Sequence, residues 1–183
     1  MARFDVIVAG GGVAGLSTAI FLARAGISVA VFDRAESSLR RVERVNNFLG
    51  FPDGIGGAEL LDLGRRQAEK FGAEVYGERI DEVAREGETF VVRAGGVDHT
   101  CAYFVLASNK RTDLARALGL ELGGYGSKFV AVEGGRTAAE RVYAAGRITG
   151  QPSQAIISAG DGAKVAIELI QRVRGEYYVD HDK

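Results

Sequence analysis

Cysteine is almost missing from this chain: Cys101 is the only one in 183 residues. No disulfide can close within it, which suits a reducing compartment. Dithiol–disulfide exchange between two cysteines of the chain is excluded. Histidine is nearly as scarce, with His99 and His181 alone, so His and Cys cannot by themselves build a zinc site. There is no tryptophan, one methionine and two prolines, Pro52 and Pro152. No apolar run approaches the ~20 residues of a membrane helix, and the first strand opens at Phe4, leaving no space for a signal peptide. The expectation is a cytoplasmic protein without a membrane partner. Net charge is also missing: 23 Lys+Arg against 24 Asp+Glu leave −1. Nothing in that balance argues for nucleic acid or an anionic membrane surface.

What the chain has is glycine, 26 in all, and enough apolar residues, 46%, to fill a core. One domain is expected over residues 1–175, followed by a tail at 176–183. The most informative stretch is residues 4–33. Residues 4–9 are a short apolar run of the kind buried on both faces of a parallel sheet. Gly10, Gly12 and Gly15 then form G-x-G-x-x-G, and residues 16–25 read as a largely buried helix ended by Gly26. Residues 27–32 are a second apolar strand, closed by Asp33.

Each of these residue types has a mechanical use. Gly10 permits a tight turn, Gly12 lets a pyrophosphate approach the backbone, and Gly15 allows close helix–strand packing. The helix start, which takes in Val13 and Ala14, offers unpaired N–H groups and a positive dipole end to phosphates. Asp33 stands where an acceptor for ribose hydroxyls is needed, and it would repel a 2′-phosphate. The stretch points to an adenine dinucleotide.

Residues 34–44 are polar with no clear period and read as a loop or mixed segment. Its Arg34, Arg40, Arg41 and Arg44 either face a pyrophosphate, Arg34 first among them, or are simply solvated. Residues 46–57 are rich in turn formers, and residues 58–71 form an amphipathic helix closed by Gly72. Four short strand patterns follow at 75–76, 80–83, 89–94 and 99–107. The last three suggest an antiparallel meander running into a core strand. A short helix capped by Thr112 or Asp113 is expected at 112–120, a hairpin or loop around a strand at 129–132, and a strand at 141–145. The final helix is expected at 153–173, with Ile156, Ala159, Ala163, Ala166 and Ile170 as its buried stripe.

Four motifs together resemble the thioredoxin reductases, with the chain corresponding to their FAD-binding domain. They are the glycine fingerprint from Gly10 to Asp33; Asn47-Phe-Leu-Gly-Phe-Pro-Asp-Gly54 with the helix after it; Val142-Tyr-Ala-Ala-Gly146; and Gln154-Ala-Ile-Ile-Ser-Ala-Gly-Asp-Gly162. The resemblance implies an α/β, Rossmann-like three-layer FAD-binding fold: a central parallel sheet, helices on one side and a β-meander. It implies that Asn47 lies near the flavin in a loop held by Phe51 and Pro52, and that the Ile80 backbone meets the adenine. Gln154 and Ala155 would present N–H groups to the pyrimidine end of the isoalloxazine, where a helix N-terminus favours the negative charge of reduced flavin.

Three departures from that family pattern stand out. The redox-active C-x-x-C is missing, and Cys101 reads as a buried small hydrophobe. The chain passes from the strand ending near Ala107 to its C-terminal segment without a second G-x-G-x-x-G, so no NADPH domain lies between. Where the family has Gly-Asp after the V-Y-A-A strand, this chain has Gly146-Arg147. Arginine is donor-only and cannot accept from a ribityl hydroxyl, but it can pair with the pyrophosphate.

The first expectation is therefore a FAD flavoprotein of oxidoreductase type. Its donor would be external NAD(P)H or a partner reductase, and a homodimer is compatible with it. No catalytic acid, base or nucleophile is identified. Two alternatives stay open: a non-enzymatic FAD-binding sensor or subunit, and an NAD-binding dehydrogenase.

Overall fold

β-Branched and alanine side chains supply the sheet. In a computed structural model describing residues 1–108 and 110–179, β1 (Arg3–Ala9) lies between β2 (Val29–Phe32) and β6 (Val97–Leu106), parallel to both. β3 (Glu74–Tyr76) extends the sheet beyond β2. The register Val6–Val29, Ile7–Ala30 and Val8–Val31 places fully buried residues opposite one another. This is the near-continuous apolar pattern of strands covered on both faces.

β6 has two partners on its other edge. Its first half pairs antiparallel with β5 (Thr89–Ala94), which pairs with β4 (Ile80–Glu86), completing the expected meander. From Phe104 to Leu106 that edge belongs to β9 (Val142–Ala144), in parallel. The sheet order is β3-β2-β1-β6-β5-β4, with β9 taking over where β5 leaves.

Two cores sandwich the sheet. On one face Val6, Val8, Val31 and Val105 meet α1 (Val13–Arg24), α2 (Gly57–Lys70) and α4 (Ala155–Arg174). On the other, Ile7, Phe32, Phe104 and Leu106 meet the meander and the short α3 (Thr112–Ala117). The crossing of α1 and α4 is very close. A Cβ at Gly162 would collide with the Ala14 carbonyl oxygen. Ser17 Oγ donates to Ala159 O at 2.8 Å, and Thr18 Oγ1 lies 2.9 Å from Ala14 O and 3.1 Å from Gly162 O. The only polar side chains of α1 before Arg24 thus serve the helix–helix contact.

The structure sharpens some local expectations and corrects others. The 34–44 loop contains a 3₁₀ turn, Ser38–Arg41, with Ser37 Oγ accepting from Leu39 N–H at 3.4 Å. The residue capping α3 is Arg111, and neither Thr112 nor Asp113 caps it through a side chain. Residues 122–130 form a two-stranded ribbon, β7 (Leu122–Gly123) with β8 (Phe129–Val130). A second 3₁₀ turn, Gly146–Thr149, follows β9. The buried stripe of α4 is Gly162, Val165, Ala166, Leu169 and Ile170; Ile156 is 39% exposed. The first turn of α4 lies at the rim of a cleft instead of on the sheet. In the tail, Tyr178 packs on the helix-side core while Tyr177 is exposed, and His181 lies outside the described residues.

Candidate functional site

Strand ends build the site. β1, β2 and β6 stop together at Ala9, Phe32 and Leu106, and a cleft of about 440 Å³ opens beyond their carboxyl ends. β1 leads through α1 to β2 on one side and has β6 on the other. That is the switch point at which open α/β sheets hold ligands.

Gly10 turns out of β1 with φ +112°, and a Cβ there would come within 2.8 Å of Ser108 Cβ. A Cβ on Gly15 would strike the Gly10 carbonyl oxygen, so this glycine lets α1 begin directly beneath the turn. Gly12 is different: the nearest atom to a Cβ would be Ser37 Oγ, at 3.8 Å. The space over Gly12 belongs to the cleft. Gly11 matters as well, since a Cβ there would stand 2.8 Å from Asp33 Cβ.

Two helices begin on this cleft with their first-turn N–H groups uncapped. α1 has Gly12 as N-cap and α4 has Gln154; neither end has a side-chain cap or an acidic residue in its first turn. Gly12, Val13, Ala14, Gln154, Ala155 and Ser158 all line the cavity. Uncapped N-termini are anion sites by geometry and by dipole.

Ten of the twelve expected site residues line this one cleft: Gly10, Gly12, Val13, Ala14, Asp33, Arg34, Ile80, Arg147, Gln154 and Ala155. Gly15 supports the wall from below. Asn47 stands outside it and reaches it indirectly, through Nδ2 donating to Gln154 Oε1 at 2.8 Å. Asp33 accepts from Ala35 N–H through Oδ2 at 3.1 Å. Arg34 is half-exposed, with its Nε 3.9 Å from Glu36. Arg147 is exposed on the cleft; its carbonyl accepts from Gly150 N–H at 3.1 Å, while its guanidinium has no hydrogen-bond or ion-pair partner among the described residues. Beside it, Gly146 N–H donates to Asp161 Oδ2 at 2.6 Å, so a carboxylate from α4 fixes this turn.

Sequence reasoning missed the wall formed by Ser37, Ser108, Lys110, Arg111 and Leu114. The signal available was position: the loop after a parallel core strand faces the ligand side. Lys110 Nζ donates to Glu36 O at 2.6 Å across the cleft's edge. Arg111 donates to the Ile80 carbonyl oxygen.

Cys101 is buried in β6, away from the cleft, and desolvation pushes its thiol up to about 12. Among the described residues no His, Cys or Tyr lines the cleft, and no three His, Cys, Asp or Glu side chains gather as metal ligands. Among these residues no helix is long and apolar enough to cross a membrane.

Residues 5–39 match the family described as FAD dependent oxidoreductase. The thioredoxin reductase of Streptomyces coelicolor is 38% identical over 115 residues, covering 60% of this chain and 36% of that one. That of Bacillus subtilis is 35% identical over 133 residues, covering 70% and 42%. NADPH-dependent thioredoxin reductase 3 of Arabidopsis thaliana is 34% identical over 121 residues, 61% of this chain and 23% of the relative. The chain thus matches less than half the length of each of these curated relatives. In fold, a thioredoxin reductase from Gloeobacter violaceus superposes with a TM-score of 0.87 at 16% identity, over 100% of this chain and 99% of that one. The atypical thioredoxin reductase of Desulfovibrio vulgaris Hildenborough gives 0.85 at 20% identity, over 94% and 99%. In sequence and in fold, the chain is thioredoxin reductase-like.

Proposed function

We propose that this chain binds FAD along the cleft as one domain, residues 1–175, and serves flavin-based oxidation and reduction without a dithiol of its own. One observation carries the reading: two uncapped helix N-termini, a glycine turn and an arginine with an unpaired guanidinium face one cleft, and a Cβ on Gly12 would meet nothing nearer than 3.8 Å. A diphosphate linking two nucleosides fits that donor set.

In this reading the first-turn N–H groups of α1 and the Arg147 guanidinium hold the pyrophosphate. Asp33, already oriented by the Ala35 N–H, accepts from the ribose hydroxyls. The N–H groups at Gln154 and Ala155 meet the pyrimidine end of the isoalloxazine, and Asn47 fixes Gln154 from outside. Bound FAD supplies hydride and electron transfer; the residues orient it and place positive potential where reduction adds charge. With one cysteine in the chain, a thiol substrate would have to bring its own second thiol. The proposed donor is external NAD(P)H or a partner reductase, and the proposed assembly is a homodimer. The proposed setting is the reducing cytoplasm, on the evidence of that lone thiol.

Calorimetric titration with FAD and with NAD tests the cofactor. The expected result is FAD binding about a hundredfold tighter, because NAD leaves the α4 end empty. Equal or reversed affinities would favour the NAD-dehydrogenase alternative. The lack of any His, Cys or Tyr on the cleft among the described residues favours a second reading, a FAD-binding sensor or subunit that works only with a partner. Anaerobic NADH and NADPH additions separate the two: direct reduction supports the oxidoreductase, and flavin that stays oxidised supports the subunit.

A further inference from the structure

One wall of the cleft is made by Arg79, Ile80, Arg111 and Leu114. Ile80 and Leu114 are almost wholly buried, and the Arg111 side chain is 17% exposed. Arg111 stands one residue before α3, and its guanidinium is held on more than one side. Nε and Nη2 donate to Asp113 at 2.9 and 2.6 Å, and Nη1 donates to the Ile80 carbonyl oxygen. A fork bonded at its edges cannot swing freely into solvent. What it leaves for a ligand is its planar face, which stacks well on aromatic rings.

The position of this wall says which part of a ligand would meet it. With the pyrophosphate over the glycine turn, the ribose at Asp33 and the flavin at α4, the base falls beyond Asp33, against these four residues. Resting on the FAD reading above, we propose that Arg111 is a specificity-determining residue for the adenosine end. Its guanidinium face stacks on the adenine while its Nη1 holds the Ile80 carbonyl in place. Asp113 keeps the fork oriented and offsets its charge, so the contribution here is shape and stacking more than net attraction.

The test uses the full chain and three probes: FAD, FMN, which lacks the adenosine, and ADP, which lacks the flavin. Dissociation constants are measured for the wild type, Arg111→Lys, Arg111→Gln and Asp113→Asn. Both Arg111 variants are expected to weaken FAD and ADP about tenfold and to leave FMN within about twofold. Lysine keeps the charge, so a loss there isolates the planar fork. Asp113→Asn, which loosens the fork without removing it, should weaken ADP by a smaller factor and leave FMN unchanged, which guards against an Arg111 variant that folds poorly. Unchanged FAD and ADP binding in both Arg111 variants would overturn the proposal, as would an equal loss for FMN. Wild-type protein that takes ADP in an Arg111-dependent way but no flavin would sink the FAD reading and leave this assignment standing. Protein that binds neither FAD nor ADP would end both.

Discussion

Gly162 matters to the site as much as any glycine of the fingerprint, although it touches no part of the cleft. It lets α4 approach α1 until a Cβ would meet the Ala14 carbonyl, and so brings the start of α4 over the glycine turn. Gly162→Ala is expected to cost about 1–3 kcal/mol by overpacking, measured by urea unfolding. Thr18→Val keeps the volume but removes the hydroxyl that bonds to Ala14 and Gly162, and should cost about 1 kcal/mol in the same experiment. Cys101 gives a pH test. Burial raises its folded-state pKa to about 12, against ~8.5 in an unfolded chain. The thiol therefore stays protonated in the folded protein as pH rises through 8 and 9, while the unfolded chain begins to ionise, so its contribution to stability falls with rising pH. Alkylation of folded protein should stay near zero over that range and accelerate only with denaturant. Rapid labelling of the native state would contradict the burial. Arg147→Gln should weaken FAD about tenfold at low salt and less at high salt, because the proposed contact is a charge-assisted one at an exposed site. An unchanged affinity at low salt would remove Arg147 from the site.

At the scale of elements, legibility followed periodicity and chain length. The β1–α1–β2 unit and the β4–β5–β6 meander were readable because each has a long apolar or alternating run closed by glycine-containing turns. The 3₁₀ turns at Ser38–Arg41 and Gly146–Thr149 are four residues each, too short to impose a period. The α4 stripe misread its N-terminal end for a physical reason. Ile156 follows the helical spacing, yet the first turn overhangs the cleft, so an apolar residue there finds no sheet to cover it. The coupling of the 45–55 loop to α4 is also an element-scale feature, with the Asn47–Gln154 bond reinforced by Phe48, Phe51 and Ala155 around the Val45–Ile55–Leu60 cluster. Asn47→Ala should weaken FAD and FMN alike, by about fivefold, because both carry the isoalloxazine that this end is proposed to hold. A loss confined to FAD would place Asn47's influence elsewhere.

For the whole molecule, backbone chemistry was easier to foresee than side-chain chemistry. The glycine turn, the acid after β2 and the start of α4 are dictated by local motifs, and the fold brings all three to one cleft. The Arg111 wall depends on how the loop after β6 folds back over Ile80, and no local motif encodes that. In the chain, β9 and α4 follow β6 after α3 and the β7–β8 ribbon, and β9 pairs with β6. The most direct test is a visible absorption spectrum of purified protein, before and after incubation with FAD and removal of the excess. FAD held in the cleft should give the two bands of oxidised flavin, at close to one FAD per chain. Protein that stays colourless after incubation with FAD would contradict it.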